Sequence, residues 1–423
     1  MKRILLLLSA LLPISLFAQV ENVLDIVSAD RNLQSGCEAP YRFDAPELTP
    51  APKGYTPFYI SHYGRHGSRY AWDAKTYSYV KEVFDKASKA DILTDLGKQI
   101  YEDFLDFWFI PWVNTGDLVE QGWDEHTAIA RIMAADFPQV FAGGGIVLAR
   151  ASTTPRAIVS MNAFTVSLQK AAPKTTIIGS SFHSEMPSTI PAFAPSAIRP
   201  VYSGEVVPPE DSRAFFARVV DMDAILDRLF TDRNLFEEDG GKTNFIWQMY
   251  RLWGGYHNYT DSDFLEDVFT PEAALALWEA ENYDLYCQHC CARWQNLSLL
   301  EDIVIRADDA IAGSGTVADL RFGHDTCFNA LRVLLNIDGC GFEPDKAEDV
   351  KYWFQDYDTP MAANIQLVLY RDKKGGDILF KLLLNGAEVT LPQLEPVSGP
   401  YYLWNDFTTW TNQLLADHPI VVK

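Results

Sequence analysis

The stretch 58-FYISHYGRHGSRYAWDAKTYSYVKEVFDKASK-89 decides the architecture. Phe58 to Tyr63 is a largely apolar run of strand length, GRHGSR is a short polar loop, and from about Lys75 to Lys89 the apolar residues recur at helical spacing. The same order returns twice. Ile146 to Ala149 is followed by RASTTPR and a helical period from Ala157 to Leu168; Val317 to Phe322 is followed by GHDT and a helical period from Cys327 to Leu335. Repeated strand–loop–helix units predict an α/β fold with a mostly parallel sheet flanked by helices. In such sheets ligands bind beyond the carboxyl ends of the strands, and each of these loops starts at such an end.

Outward from these units, Ser88 to Phe109 and Asp124 to Phe137 read as helices. Between about Pro187 and Asp309 strand signals are nearly absent, and 212–230, 243–253, 271–286 and 297–311 all have helical periods. This predicts an inserted α-helical cap domain at 187–309, with 19–186 and 310–423 forming the α/β core. Asn364 to Tyr370 and Ile378 to Leu384 alternate around DKKGGD, which predicts an antiparallel hairpin added to the sheet.

The N-terminus reads as a signal peptide over residues 1–18. Lys2 and Arg3 precede an apolar run from Ile4 to Phe17, and Ala18 is a small residue suited to cleavage before Gln19. The run is too short to span a bilayer, which takes roughly 20 residues, so the chain is expected to be exported, periplasmic or extracellular, without membrane insertion. About 405 residues would then remain, more than one hydrophobic core usually serves. A hydrophobic content of 48% excludes disorder, and a formal charge of −22 disfavours nucleic acid as a partner. An anionic ligand would need a locally basic pocket. Cys287, His289, Cys290 and Cys291 are close in sequence, but no second ligand pair stands at zinc-binding distance. Buried thiols or one disulfide are expected there, and no metal or cofactor. The sequons at Asn258 and Asn296 matter only in a host that glycosylates exported proteins.

The chemistry concentrates in the three loops. Arg65 and Arg69 flank His66 beside Gly67. Guanidinium forks match phosphate oxygens, a glycine allows close backbone approach or unusual dihedrals, and two cations disfavour protonation of the imidazole. A neutral imidazole keeps a lone pair that can attack phosphorus. Arg156 stands at the start of a helix, where anions are already favoured; Arg150, on the strand, is the weaker candidate. His324 can bond a phosphate oxygen, and Asp325 can protonate a leaving alkoxide, its pKa raised by the phosphate nearby. Taken alone, each loop also has an ordinary reading, as a solvated turn or as an Asp325 helix cap. Their shared position and chemistry favour a small-molecule phosphate ester as ligand.

With RHGSR at 65–69 and His324-Asp325 some 255 residues later, the chain resembles the acid phosphatase, phytase and multiple inositol polyphosphate phosphatase branch of the histidine phosphatase superfamily. PMAANIQLVLYRD at 360–372 and the following LLLNGAEVTLP are similar to that family's C-terminal hairpin. The resemblance implies an α/β core with a helical insert and a cleft between them. It implies His66 as nucleophile through a phosphohistidine, Asp325 as general acid, and Arg65, Arg69, Arg156 and His324 as phosphate ligands. Tyr70 after Arg69 follows the inositol polyphosphate group, which often has HAE where this chain has HD. The cap's Arg199, Arg213, Arg218, Arg228, Lys242 and Arg251 are candidates for extra phosphates, though most are expected to be solvated.

The activity expected is therefore an exported phosphomonoesterase acting on inositol polyphosphates such as phytate. The alternatives are a broad-specificity or sugar-phosphate acid phosphatase and, from another class, an inactive phosphate-ester binding protein. The mutase-like branch of the superfamily fits less well, because its members are usually smaller and lack a leader.

Overall fold

The structure, a computed structural model, describes residue 20, residues 22–236 and residues 240–421. The leader expected over residues 1–18 lies outside them. Among the described residues eight strands form one sheet: β1 Tyr55–Arg65, β2 Gly145–Ala151, β3 Thr175–Ser180, β4 Thr316–Gly323, β5 Asn364–Asp372, β6 Leu379–Leu384, β7 Ala387–Glu388 and β8 Tyr402–Leu403. Their order is β3-β2-β4-β1-β5-β6-β7, with β8 also on β6. The four strands from β3 to β1 are parallel, and the hairpin β5–β6 adds antiparallel to β1. The α/β class, the mostly parallel sheet and the hairpin thus agree with the sequence pattern. Edge strand β3 was not foreseen: TTIIGS is short, and Ile178 is half exposed, so its apolar signal is weak.

Period-two alternation divides β1 between two cores. Tyr59 and Tyr63 face a layer containing Leu300, Ile303, Phe328 and Phe407, from the helices Leu297–Ile311, Asp325–Leu334 and Trp404–Asp417. Ile60 faces the opposite layer, with Met133 from the helix Glu120–Asp136 and Phe164 from the helix Pro155–Ala171. A sheet covered on both faces has strands that read as apolar runs.

Two helices expected to be continuous are broken by their own caps. The segment 88–109 contains the end of Lys75–Lys89, a turn with Asp91 at φ 55°, and a new helix Asp95–Phe107. Thr94 starts that helix by accepting the Gly97 N–H at 3.0 Å. In 212–230, Asp221 accepts the Ala224 N–H at 3.0 Å and separates Ser212–Val219 from Met222–Leu229. The helical layer also extends beyond 187–309. Val80, Phe84, Ile100 and Phe104 share one apolar cluster with Phe216, Leu226, Phe230, Phe245 and Leu277.

Candidate active site

Strand order brings the three loops together. β4 lies between β2 and β1, with Phe322 level with Ala151 and Gly323 level with Arg65. The backbone continues the pairing past the strand ends: His66 N–H donates to the Gly323 carbonyl at 3.0 Å, and Ser152 N–H to that of Phe322 at 2.9 Å. The RHGSR loop is locked from below. Gly67 has no left-handed φ; its role is close approach, since a Cβ there would lie 2.5 Å from the Gly122 carbonyl oxygen. Ser68 donates its N–H and Oγ–H to Glu125 at 2.8 and 2.7 Å, and Gly67 N–H reaches Ser160 Oγ at 3.0 Å. Glu125 is buried and had no visible signal in the sequence.

A cavity of about 720 Å³ opens over these strand ends, of a size that fits a small ligand. His66, Arg69, Arg156, His324 and Asp325 line it. His66 is 1% exposed, and its Nδ1 lies 3.0 Å from the Gly67 carbonyl, which can only accept. That bond fixes the proton on Nδ1 and leaves the Nε2 lone pair unengaged. Burial, then Arg156, Arg65, Arg69 and His324, hold the imidazole's pKa well below the usual 6.5. His324 stands at the N-cap position of the helix Asp325–Leu334 without a side-chain cap bond, pairs Nε2 with Ser152 Oγ at 2.9 Å, and is pushed by burial and Arg156 to about 3.

The arginines divide into held and unengaged. Arg65 is fully buried behind the cavity wall. It donates to the carbonyls of Cys37 and Thr359 and, through Nη2 at 2.8 Å, to Asp325 Oδ2. Arg69 is clamped by both oxygens of Glu38, at 3.2 and 3.0 Å. Arg156, the second residue of its helix, makes no hydrogen bond among the described residues, and burial and Arg69 lower its pKa to about 10. Its fork is the most available to a ligand. Arg150 turns away to Asp302 and Asp319, at 2.6 and 2.7 Å.

Neighbouring cations set the resting charge of Asp325. Burial alone would raise its pKa, but Arg65, His289 and His66 outweigh burial and hold the carboxyl well below the usual range. Glu38 and Glu281, which were not read from sequence, also wall the cavity, as do His289, weighed above only as a metal ligand, and Arg251. Of the cap cations weighed above, only Arg251 lines it; Arg218 pairs with Glu210 and Lys242 with Asp223. All six cysteines are free thiols, and His289 bonds Asn329 through Nδ1 at 3.2 Å.

No family model matches the chain, and no curated protein matches it. Solved structures do. The multiple inositol polyphosphate phosphatase of Bifidobacterium longum, in complex with inositol hexasulfate, superposes with a TM-score of 0.72 at 18% identity, covering 92% of this chain and 98% of that one. The phytase of D. castellii gives 0.67 at 15% identity, covering 91% and 85%. The Hafnia alvei phytase with tartrate gives 0.52 at 13%, covering 86% and 98%. At these identities the likeness is one of fold, and the chain has the α/β-plus-helical fold that these inositol polyphosphate phosphatases and phytases share.

Proposed function

We propose that the chain is an exported phosphomonoesterase working through a phosphohistidine on His66, with inositol polyphosphates as its substrate class. The observation that carries this reading is the His66 ring. Its Nδ1 proton is committed to the Gly67 carbonyl, and its Nε2 is unengaged in a cavity shared with Arg69, Arg156 and His324. Nε2 attacks phosphorus, an N–P bond forms, and the ester P–O bond breaks. The departing alkoxide takes a proton from Asp325. Water then attacks the phosphohistidine while the Asp325 carboxylate takes its proton, the N–P electron pair returns to Nε2, and inorganic phosphate leaves. Arg156 and Arg69 neutralise the equatorial oxygens. Arg65 acts on Asp325: its ion pair positions the carboxyl, and a bound phosphate dianion competes for that charge and makes the carboxyl easier to protonate.

The domains we read are an α/β core drawn from 19–186 and 310–423, on whose sheet the helix Leu297–Ile311 also packs, and a cap that joins the rest of 187–309 with the helices of 71–108, which leave the core span and share one apolar cluster with it. Export rests on residues 1–18. Among the described residues no helix is long and apolar enough to cross a membrane. The substrate class draws on the solved relatives and on RHGSRY. A sugar-phosphate phosphatase is the second reading, favoured by one observation: Arg251 is the only cap cation of those weighed that reaches the cavity, and Glu38 and Glu281 share its wall.

The test is rapid quenching with labelled substrate in the presence of EDTA. An acid-labile phosphoprotein is expected in the wild type and not in folded His66→Ala. Substantial turnover by that variant refutes the assignment, and phosphate-ester binding without turnover in the wild type leaves the binding-protein alternative.

A further inference from the structure

The helices Gly241–Gly255 and Pro271–Leu285 give the cavity two side chains that the mechanism above does not use, Arg251 and Glu281. The Arg251 guanidinium lies between two aromatic faces, 5.9 Å from the Trp72 ring and 5.4 Å from that of Trp247. Its contact with Glu281 Oε1 is 3.6 Å, too long for a hydrogen bond. Glu281 is 8% exposed, and its Oε2 has no hydrogen-bond partner among the described residues. A buried carboxyl oxygen without a partner is costly. A ligand atom entering the cavity would relieve that cost.

We infer that Glu281 is a protonation-dependent specificity residue. With its carboxyl uncharged, Arg251 holds a second anionic group of the substrate; with its carboxyl charged, Arg251 is neutralised and that group is repelled. The inference deepens the phosphate-ester reading and rests on it. The uncharged acid also offers an O–H that can donate to a phosphate oxygen. Burial is the main reason that the Glu281 carboxyl is pushed up to about 8. Arg251 pulls it down, while Asp284 one turn along the same helix, Asp356 of the segment Asp356–Asp358 and Glu38 of the segment Gly36–Glu38 all push it up. The switch therefore falls in a range where ester phosphates, with a second pKa near 6, are already dianionic. A change in preference above neutrality then belongs to the protein and not to the substrate.

The experiment compares kcat/KM for a hexose 1,6-bisphosphate with that for the hexose 6-phosphate between pH 7 and pH 9, because the ratio cancels any change common to both. The ratio is expected to fall about tenfold in the wild type, following the uncharged fraction of an acid that titrates near 8. In Glu281→Gln it should stay flat, and in Arg251→Met it should be low at both ends. A flat wild-type ratio, or the same fall in Glu281→Gln, overturns the inference and leaves the phosphatase reading standing. If neither ester is turned over, the phosphatase reading fails. The same ratio, read from calorimetric binding of the two sugars, then decides the role of Glu281.

Discussion

Replacing His126 by Leu should make the protein markedly less sensitive to acid. His62 on β1 and His126 on the helix Glu120–Asp136 are each 1% exposed, and among the described residues no hydrogen bond of ordinary geometry reaches either ring. They pack against Phe164 and Phe322. Burial lowers each from the usual 6.5 to about 3; His126 and the Arg321 guanidinium add to this at His62, while the backbone of Arg321 at His62 and of Arg65 at His126 acts the other way. Because the folded pKa is depressed, the unfolded chain binds more protons between the two values. Stability is therefore full above pH 6.5, is lost as the pH falls, and levels off below about 3. One pKa unit corresponds to about 1.4 kcal/mol, so each histidine removes about 2 kcal/mol by pH 5, against a typical total of about 5–15 kcal/mol. Leucine is close to histidine in volume and does not titrate. Urea unfolding followed by tryptophan fluorescence at pH 7.5 and 5 measures the loss. In His126→Leu the loss should be about 2 kcal/mol smaller than in the wild type, whatever the variant does to stability at pH 7.5. Equal losses in the two proteins would refute the reasoning. The effect bears on function, because Asp325 needs acid to carry a proton while the buried histidines make acid costly to the fold.

Asp325→Asn should slow alkyl phosphates on the order of 100-fold or more and p-nitrophenyl phosphate far less, since a nitrophenolate leaves with little protonation; equal losses would reduce Asp325 to a partner of Arg65. Arg156→Met should raise the inhibition constant of inorganic phosphate by about 10- to 100-fold, a charged hydrogen bond being worth about 1.5–3 kcal/mol; steady-state inhibition checks this, and an unchanged constant would place the phosphate elsewhere. Myo-inositol hexakisphosphate should be hydrolysed, and salt should raise its apparent KM more than that of a singly phosphorylated sugar. Turnover of sugar phosphates alone would select the second reading.

Much of the site was legible because it is built from local signals. Phe58 to Tyr63, Ile146 to Ala149 and Val317 to Phe322 show as strands, since residues buried on both faces of a sheet must be apolar in succession. The loops holding His66, Arg156, His324 and Asp325 follow directly, because a loop's position is fixed by the strand before it. The hairpin at 364–384 shows for the same reason, its alternation and its DKKGGD turn being contiguous. Helix breaks at Thr94 and Asp221 were also present in the sequence as capping residues, but the apolar periodicity running across both of them masked the caps.

What the tertiary structure alone decided is which of these groups remain available. β4, late in the chain, inserts between β2 and β1, and only that order puts three distant loops within reach of one ligand. Arg65 is taken by Asp325, Arg69 by Glu38 and Arg150 by Asp302 and Asp319, which leaves Arg156 with an unengaged fork. Glu125, Glu281 and Arg251 reach the site or its support from other helices. None of these partnerships has a sequence pattern. Periodicity and turn chemistry record interactions between residues a few places apart, whereas an ion pair across 260 residues, such as that of Arg65 with Asp325, depends only on where the folded backbone delivers two side chains.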